Sequence, residues 1–223
     1  CMTECSPVAC TNSIDNNVPS SVGHAIPGVK VKLVENNALL IHGPNVMLGY
    51  WNNPEATASI LAPDGWLNSG DMARIDGGIV TITGRLKEII VMSTGEKIPP
   101  TDMEAAILRD PLFEQVMLIG EGRSYLSVLV VMNPDGREKI SLQHKFDPEI
   151  GSLMQNEKMK KILLEKIRHQ IREFPGYAKI HRVALVPEPW TVENGMLTPT
   201  LKLKRAKVLE YYQATISKLY EGH

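Results

Sequence analysis

The sequence predicts an α+β fold, with a small, β-barrel-like first part and a mixed α and β second part. Short strand-length stretches separated by glycine turns dominate the chain as far as residue 83, a pattern typical of a small barrel or distorted sheet. After Gly84, apolar runs of strand length alternate with segments of helical periodicity. We therefore expect one domain at residues 1–85 and a second at residues 86–223.

The first part contains several signals for short elements. Residues 29–35 alternate apolar and basic side chains, and the two asparagines after them predict a tight turn into a second strand at residues 38–42. Asn53 is followed by a proline and an acid, which predicts a short helix that continues to about Ile60. A later glycine turn leads into another predicted strand at residues 79–83.

In the second part, the sequence predicts helices and strands in alternation. Thr101 and Glu104 form a capping-box pattern, which predicts the start of a helix that ends near Arg109. Apolar residues at helical spacing between Met159 and Phe174 predict an amphipathic helix. The remaining predicted elements are strands at residues 88–92, 116–119, 125–132 and 183–186 and a final helix at residues 205–220.

Charge and hydropathy exclude several classes of protein. The chain has 24 Lys and Arg residues against 25 Asp and Glu residues, so a formal net charge of -1 argues against a nucleic-acid partner. No apolar run approaches the ~20 residues that a transmembrane helix needs. Because no basic start precedes an apolar segment, we expect a cytoplasmic protein. The chain also opens abruptly, as though a loop had been cut from its parent element.

The three cysteines, Cys1, Cys5 and Cys10, all lie within the first ten residues. Their spacing matches no common zinc pattern, and no histidine follows at the spacing of a zinc finger. We therefore expect free thiols in a reducing compartment rather than a metal site.

Four short stretches carry side chains suited to chemistry, although each has a plainer interpretation. In the Gly–Asp pair at residues 70–71, the glycine allows close approach of a ligand and the carboxylate can accept two hydroxyl hydrogen bonds, as from a ribose diol; alone, such a pair is usually a turn. Arg85 alone fits a surface group, and the Thr–Glu pair at residues 3–4 fits an exposed loop. The loop at residues 194–205 ends in cations that are either solvated or poised for a phosphate.

Five motifs follow one another along the chain. They are the Thr–Glu pair, the Gly–Asp pair, the Gly–Arg pair at residues 84–85, Gly95 before a glutamate, and a Thr–Pro pair with Lys202 three residues on. This series resembles the adenylate-forming acyl-CoA synthetase superfamily, and in particular bacterial long-chain fatty-acid ligases. The resemblance covers essentially the whole chain. It implies a remnant of the large N-terminal domain followed by a mobile C-terminal cap domain.

The resemblance also implies an activity, in which a fatty acid and ATP form an acyl-adenylate and pyrophosphate, and the acyl group then passes to the thiol of coenzyme A. Thr3 matches a residue that contacts the α-phosphate, and Glu4 matches one that helps to hold Mg²⁺. Asp71 and Arg85 match the residues on the ribose of ATP or AMP. The phosphate loop and the acyl tunnel of the family are absent from this sequence, so the chain alone is expected to be inactive.

Three further positions match residues that take part in the domain rotation of family members. Lys87 falls at the hinge, Gly95 at the glycine beside which the pantetheine arm passes, and Lys202 at the lysine of adenylation. A cation at Lys202 offsets the repulsion between an attacking carboxylate and an anionic phosphate. The sequence departs from the family pattern at Leu201, where a glycine is usual, and at Cys1, which stands at a glycine position of the Thr–Glu motif.

Two alternatives remain open at the level of sequence. An acyl carrier protein can replace coenzyme A as the acceptor, because both present their thiol on a pantetheine arm. A non-catalytic interaction module is the other class, although such a module has no physical need for Asp71, Arg85, Lys87, Gly95 and Lys202 together. The resemblance also leaves open a peripheral association of the whole enzyme with membranes.

Overall fold

A computed structural model describes residues 2–221 of the chain. The chain divides into two compact units, Cys1–Ile89 and Ile90–His223. Both strands and helices are present in each unit, so the predicted α+β class is confirmed. Among the described residues, no helix is long and apolar enough to cross a membrane.

The first unit is built on a four-stranded antiparallel sheet. Its elements are β1 (Cys10–Thr11), β2 (His24–Ala25), β3 (Lys30–Leu33), β4 (Ala38–His42), α1 (Pro54–Ile60), β5 (Leu67–Asp76) and β6 (Ile79–Arg85). The strand order of the sheet is β3-β4-β5-β6. The predicted hairpin of β3 and β4 is confirmed, with Asn36 and Asn37 both at positive φ in the turn. Asn53 caps α1 as predicted, because its side chain accepts a hydrogen bond from the amide of Ala56.

A small apolar core supports this sheet. The buried side chains that share it are Cys5, Val29, Leu39, Ile41, Leu67, Ala73 and Val80. Leu67 on β5 and Val80 on β6 have no exposed surface. The core therefore packs against the two strands that carry Asp71 and Arg85 and restricts their movement. The packed core therefore keeps the backbone rigid for residues on the opposite face and at the edge of the sheet.

The second unit contains a three-stranded sheet and a separate two-stranded hairpin. Its elements are β7 (Ile90–Val91), β8 (Lys97–Ile98), α2 (Pro100–Ile107), β9 (Phe113–Ile119), β10 (Leu126–Met132), α3 (Pro134–His144), α4 (Ile150–Gln155), α5 (Glu157–Gln170), β11 (Ile180–Leu185), α6 (Arg205–Tyr211) and α7 (Gln213–Leu219). The strand order of the larger sheet is β11-β10-β9. Strands β10 and β11 pair in parallel, which requires a long crossover, and α3, α4 and α5 form that crossover.

Both faces of the larger sheet are covered. On β10, Val128 and Val130 belong to a core shared with α2 and α5, whereas Leu129 and Val131 belong to a second core shared with α6 and α7. Successive strand residues point to opposite faces, so one apolar strand can join two cores. The continuous apolar run of β10 is thus explained by burial on both sides.

Several predicted elements are wrong in detail. The predicted capping box is wrong, because α2 begins at Pro100 and its N-terminus has no side-chain cap. A proline at the first helical position needs no hydrogen-bond acceptor, and the carboxylate of Glu104 is engaged elsewhere. The predicted final helix is interrupted at Tyr212, whose backbone separates α6 from α7. The strand predicted at residues 88–92 is shortened to β7, because residues 86–88 form a 3₁₀ turn.

Candidate functional site

Asp71 lies in the middle of β5, in a segment where the strand is locally irregular. Gly70, which precedes it, has a φ of 73°, a conformation that favours glycine. The hydroxyl of Ser69 donates to the carbonyl oxygen of Leu39 at 2.7 Å and accepts the amide of Asp71 at 3.2 Å. A serine and a glycine therefore fix the backbone from which the Asp71 carboxylate projects.

Arg85 ends β6 directly opposite Asp71 in the antiparallel register. The guanidinium Nε lies 3.3 Å from Oδ1 of Asp71, and the side chains are 59% and 24% exposed respectively. A pair this exposed contributes only about 0–1 kcal/mol to stability. The pair matters for geometry rather than for stability. It brings a hydrogen-bond acceptor, Asp71, and a donor, Arg85, together on the hairpin, and both are predicted to contact ribose.

Thr3 and Glu4 lie in a 3₁₀ turn, Thr3–Cys5. The carbonyl oxygen of Glu4 accepts the amide of Met47 at 2.9 Å, and Oε1 of its carboxylate accepts the hydroxyl of Tyr50 at 2.7 Å. This carboxylate raises the pKa of Tyr50, because it stabilises the protonated hydroxyl. The side chain of Thr3 is exposed.

The donor set around Glu4 fits a magnesium ion that is held mainly by a nucleotide. In residues 2–221, no group of three or more His, Cys, Asp or Glu side chains could hold a metal by itself. Mg²⁺ commonly uses one or two carboxylates together with substrate phosphates and water. A single half-buried carboxylate, oriented by a hydroxyl, matches that requirement.

Of the three cysteines, Cys5 and Cys10 are free thiols, and Cys1 lies outside the described residues. Burial raises the pKa of both thiols, which disfavours the reactive thiolate form at neutral pH. Cys5 packs in the core of the first unit. Cys5 therefore has the environment of a small apolar core residue rather than that of a nucleophilic cysteine.

Lys202 lies in a compact loop before α6, and its side chain is exposed. Its backbone amide donates to Oγ1 of Thr198 at 3.0 Å, and its carbonyl oxygen accepts the amide of Thr198 at 2.8 Å. Leu201 has a φ of 59°, so a leucine occupies the left-handed conformation that favours glycine. The loop is therefore closed by its own hydrogen bonds and presents the ammonium group to solvent.

Arg205, at the start of α6, anchors this loop to the sheet. Its Nη1 donates to both carboxylate oxygens of Glu104, at 2.8 and 3.0 Å, and its Nη2 donates to the carbonyl oxygen of Leu118 at 2.8 Å. The same carboxylate accepts the amide of Leu118 at 2.6 Å. Arg205 and Glu104 are mostly buried, so this network holds the base of the Lys202 loop against α2 and β9.

Gly95 lies in the turn between β7 and β8. Its φ is 92°, and a Cβ added to it would meet nothing within 4 Å. The turn is closed by a hydrogen bond from the amide of Gly95 to Met92 at 2.9 Å, and it is joined to the rest of the unit by a bond from the amide of Ser93 to Arg123, also 2.9 Å. Gly95 thus presents bare backbone next to open space, which a bulky side chain would fill.

Lys87 lies in the 3₁₀ turn Leu86–Glu88, close to the end of the first unit at Ile89. Its side chain is exposed. The turn interrupts regular structure between β6 and β7, as expected for a segment that can change its backbone angles.

The structure brings some predicted residues together and adds others that were not predicted. Asp71 and Arg85 are paired, whereas Gly95 and Lys202 lie on separate elements of the second unit. Tyr50, as a partner of Glu4, was missed because 46 residues separate the two in sequence. The pairing of Glu104 with Arg205 was not predicted either, because 101 residues separate the two in sequence.

Comparison with known proteins identifies the family. The AMP-binding enzyme C-terminal domain matches residues 87–223, so this chain belongs to the AMP-binding enzyme family. The family predicted from the motif series is therefore confirmed.

Two curated relatives and one solved structure define the similarity further. The chain is 32% identical to the long-chain-fatty-acid–[acyl-carrier-protein] ligase AEE15 of Arabidopsis thaliana, over 98% of this chain and 32% of the relative. It is 35% identical to long-chain-fatty-acid–CoA ligase 5 of Rattus norvegicus, over 82% of this chain and 28% of the relative. The chain thus spans about a third of the length of these relatives.

Among solved structures, the adenylation domain of carboxylic acid reductase from Segniliparus rugosus superposes with a TM-score of 0.72 at 25% identity, covering 89% of this chain and 32% of that one. That domain was solved in complex with AMP and a co-purified carboxylic acid.

Proposed function

We propose that this chain is the C-terminal part of an AMP-forming fatty-acid–CoA ligase, and that it supplies the hinge, the lysine of adenylation and the face used for thioester formation. The observation that carries the proposal is the similarity to two fatty-acid ligases over most of the chain. The paired Asp71 and Arg85 and the exposed Lys202 support it, because they are the groups that the first half-reaction needs.

In the proposed first half-reaction, a fatty-acid carboxylate attacks the α-phosphate of ATP and releases pyrophosphate. Asp71 and Arg85 hold the ribose, and Thr3 contacts the α-phosphate. Lys202 places a cation beside the phosphate, where negative charge gathers in the transition state. Glu4 holds the Mg²⁺ that accompanies the nucleotide, and that ion supplies neutralisation of phosphate charge.

In the second half-reaction, the sulfur of the acceptor thiol attacks the acyl carbon of the acyl-adenylate, the thiol proton is released and AMP leaves. The acceptor must therefore reach the acyl-adenylate, so Lys202 has to move away. Rotation about Lys87 achieves this exchange and brings the Gly95 turn to the reacting centre. The exposed backbone at Gly95 leaves room for a pantetheine arm. One domain thereby contributes to both steps without holding both groups at the site together.

Coenzyme A is the proposed acceptor, and an acyl carrier protein is the second candidate. The name of the rat relative includes CoA as the acceptor. The name of the Arabidopsis relative, which matches nearly the whole chain, includes an acyl carrier protein instead. Both acceptors use the same chemistry at the thiol. Product analysis with each acceptor, at equal concentration of thiol, decides between them.

The test is ATP–pyrophosphate exchange with a panel of fatty acids, measured on the full-length protein and on the 223-residue chain. We expect exchange in the full-length protein alone, and its loss in Lys202→Ala. Lys204→Ala is the matched control, because Lys204 is an exposed lysine of the same loop. An absence of exchange in folded full-length protein supplied with Mg²⁺ would instead support the interaction module.

A further inference from the structure

We propose that Tyr50 is a positioning residue, whose hydroxyl orients the Glu4 carboxylate toward the divalent cation of bound ATP. This inference rests on the proposed function, and specifically on the role of Glu4. It adds a residue to the nucleotide site that the motif series did not include.

The first observation is the direction of the Tyr50 side chain. Its hydroxyl donates to Oε1 of Glu4 at 2.7 Å, and 40% of the residue is exposed. Its neighbours Leu48 and Trp51 are almost completely exposed, at 101% and 97%. The same short loop therefore directs two apolar side chains into solvent and the tyrosine to the carboxylate, so the contact is a specific feature of this position.

The second observation is that the backbone on both sides of the contact is fixed. The amide of Met47 donates to the carbonyl oxygen of Glu4 at 2.9 Å, which ties the loop to the 3₁₀ turn. The amide of Tyr50 donates to Oγ1 of Thr57 at 2.9 Å, and that hydroxyl donates in turn to the carbonyl oxygen of Asn53 at 2.8 Å. Helix α1 thereby holds the tyrosine in place.

Gly49 allows this loop to lie so close to the helix. A Cβ at this position would lie 3.0 Å from Cγ2 of Thr57, closer than side chains normally pack. The Gly–Tyr pair thus combines close approach to α1 with a hydroxyl aimed at Glu4.

The chemistry explains why one hydroxyl matters. A carboxylate that holds Mg²⁺ with the help of phosphates makes few contacts, so its orientation determines how well it meets the ion. Tyr50 is the only hydrogen-bond partner of the Glu4 side chain among the residues that the structure describes. With Oε1 held by the hydroxyl, rotation of the carboxylate is restricted, and Oε2 is the oxygen that would bind the ion. Loss of such an outer contact typically weakens metal affinity 10–100-fold.

The experiment is isothermal titration calorimetry of ATP into the full-length protein, with Mg²⁺ or with EDTA and without fatty acid. The quantity compared is the factor by which Mg²⁺ tightens ATP binding. We expect Glu4→Gln to abolish this factor and Tyr50→Phe to reduce it about 10-fold. Tyr211→Phe is the matched control, because Tyr211 is an exposed tyrosine on α6 of the second unit.

A positioning role and a structural role give different results. Positioning leaves the affinity for ATP in EDTA and the thermal midpoint of Tyr50→Phe at wild-type values, whereas a structural role weakens both. Thr57→Val should reduce the Mg²⁺ factor and Thr57→Ser should restore it, since serine keeps the hydroxyl. If Glu4→Gln loses the factor and Tyr50→Phe retains it, the inference is wrong. If Glu4→Gln retains it, the proposed role of Glu4 fails first.

Discussion

Arg85 and Asp71 are cross-strand partners in one antiparallel hairpin, with Nε 3.3 Å from Oδ1. Residues directly opposite each other in such a ladder project from the same face. The register of β5 and β6 therefore determines that the two side chains meet. A one-residue slip would turn one of them to the other face, so the ribose site that we propose depends on correct strand pairing.

The first prediction concerns Asp71. Asp71→Asn should raise the KM for ATP in pyrophosphate exchange roughly 10- to 100-fold, because hydrogen bonds to a charged acceptor contribute about 1.5–3 kcal/mol. Asp76→Asn is the control, since Asp76 also pairs with an arginine of the same hairpin, Arg74, at 68% exposure. Equal KM values for the two variants would remove Asp71 from the nucleotide site.

The second prediction separates the half-reactions at Lys202. Lys202→Ala should slow adenylate formation about 100- to 1,000-fold, as expected when one preorganised charge is removed from a transition state. Transfer from a preformed acyl-adenylate to the thiol should stay close to the wild-type rate. Single-turnover assays of each step measure both quantities, and a parallel loss of the two steps would contradict this role.

The third prediction uses two glycines with similar backbones. Gly95→Leu and Gly122→Leu each place a side chain at positive φ with open space around it, and each should cost about 1–2 kcal/mol of unfolding free energy. Only Gly95→Leu should block thioester formation, while adenylation continues in both. Normal thioester formation by Gly95→Leu would show that the pantetheine arm passes elsewhere.

The fourth prediction concerns the hinge. Lys87→Pro fixes φ near −65° and also restricts Leu86, so it should hold the protein in one orientation and slow one half-reaction much more than the other. Lys87→Ala, which keeps backbone freedom, is the control. If the proline variant runs both half-reactions at normal rates, the pivot lies at another residue.

The fifth prediction concerns stability. Arg205→Ala leaves the carboxylate of Glu104 mostly buried without its cation, which should lower the free energy of unfolding by about 3–5 kcal/mol. Lys160→Ala removes the cation from Glu157, whose side chain is 75% exposed, so that loss should stay near 1 kcal/mol or below. Urea unfolding of the 223-residue chain measures both, and similar values for the two variants would count against the anchoring role of Arg205.

Local signals predicted local structure well. Asn53 was predicted to cap a short helix and does so, because the cap and the helix need only neighbouring residues. Glu104 had an equally clear local signal, but its carboxylate binds Leu118 and Arg205, which are distant in sequence. Long-range partners thus displaced the cap that the sequence pattern indicated.

Helix α3 was not predicted, and a long-range contact explains one of its residues. Gly136 lies inside the helix although glycine has a low helix propensity. A Cβ at this position would be 3.2 Å from Cα of Leu112, so the close packing against Leu112 favours a glycine here. Asn133 caps this helix, and no helix was predicted from it. For the candidate site, the motif series indicated Glu4, but the spacing of residues does not reveal that Tyr50 lies beside it.

Strand β10 has a consequence for how the second unit opens. All of its residues are buried, and its two faces belong to different cores. Neither core can loosen without uncovering the strand they share, so the unit should open in a single cooperative event rather than face by face. The amide hydrogens of β10 should accordingly exchange with solvent more slowly than those of the Gly95 turn or the Lys202 loop, and their exchange rate reports the global stability of this unit.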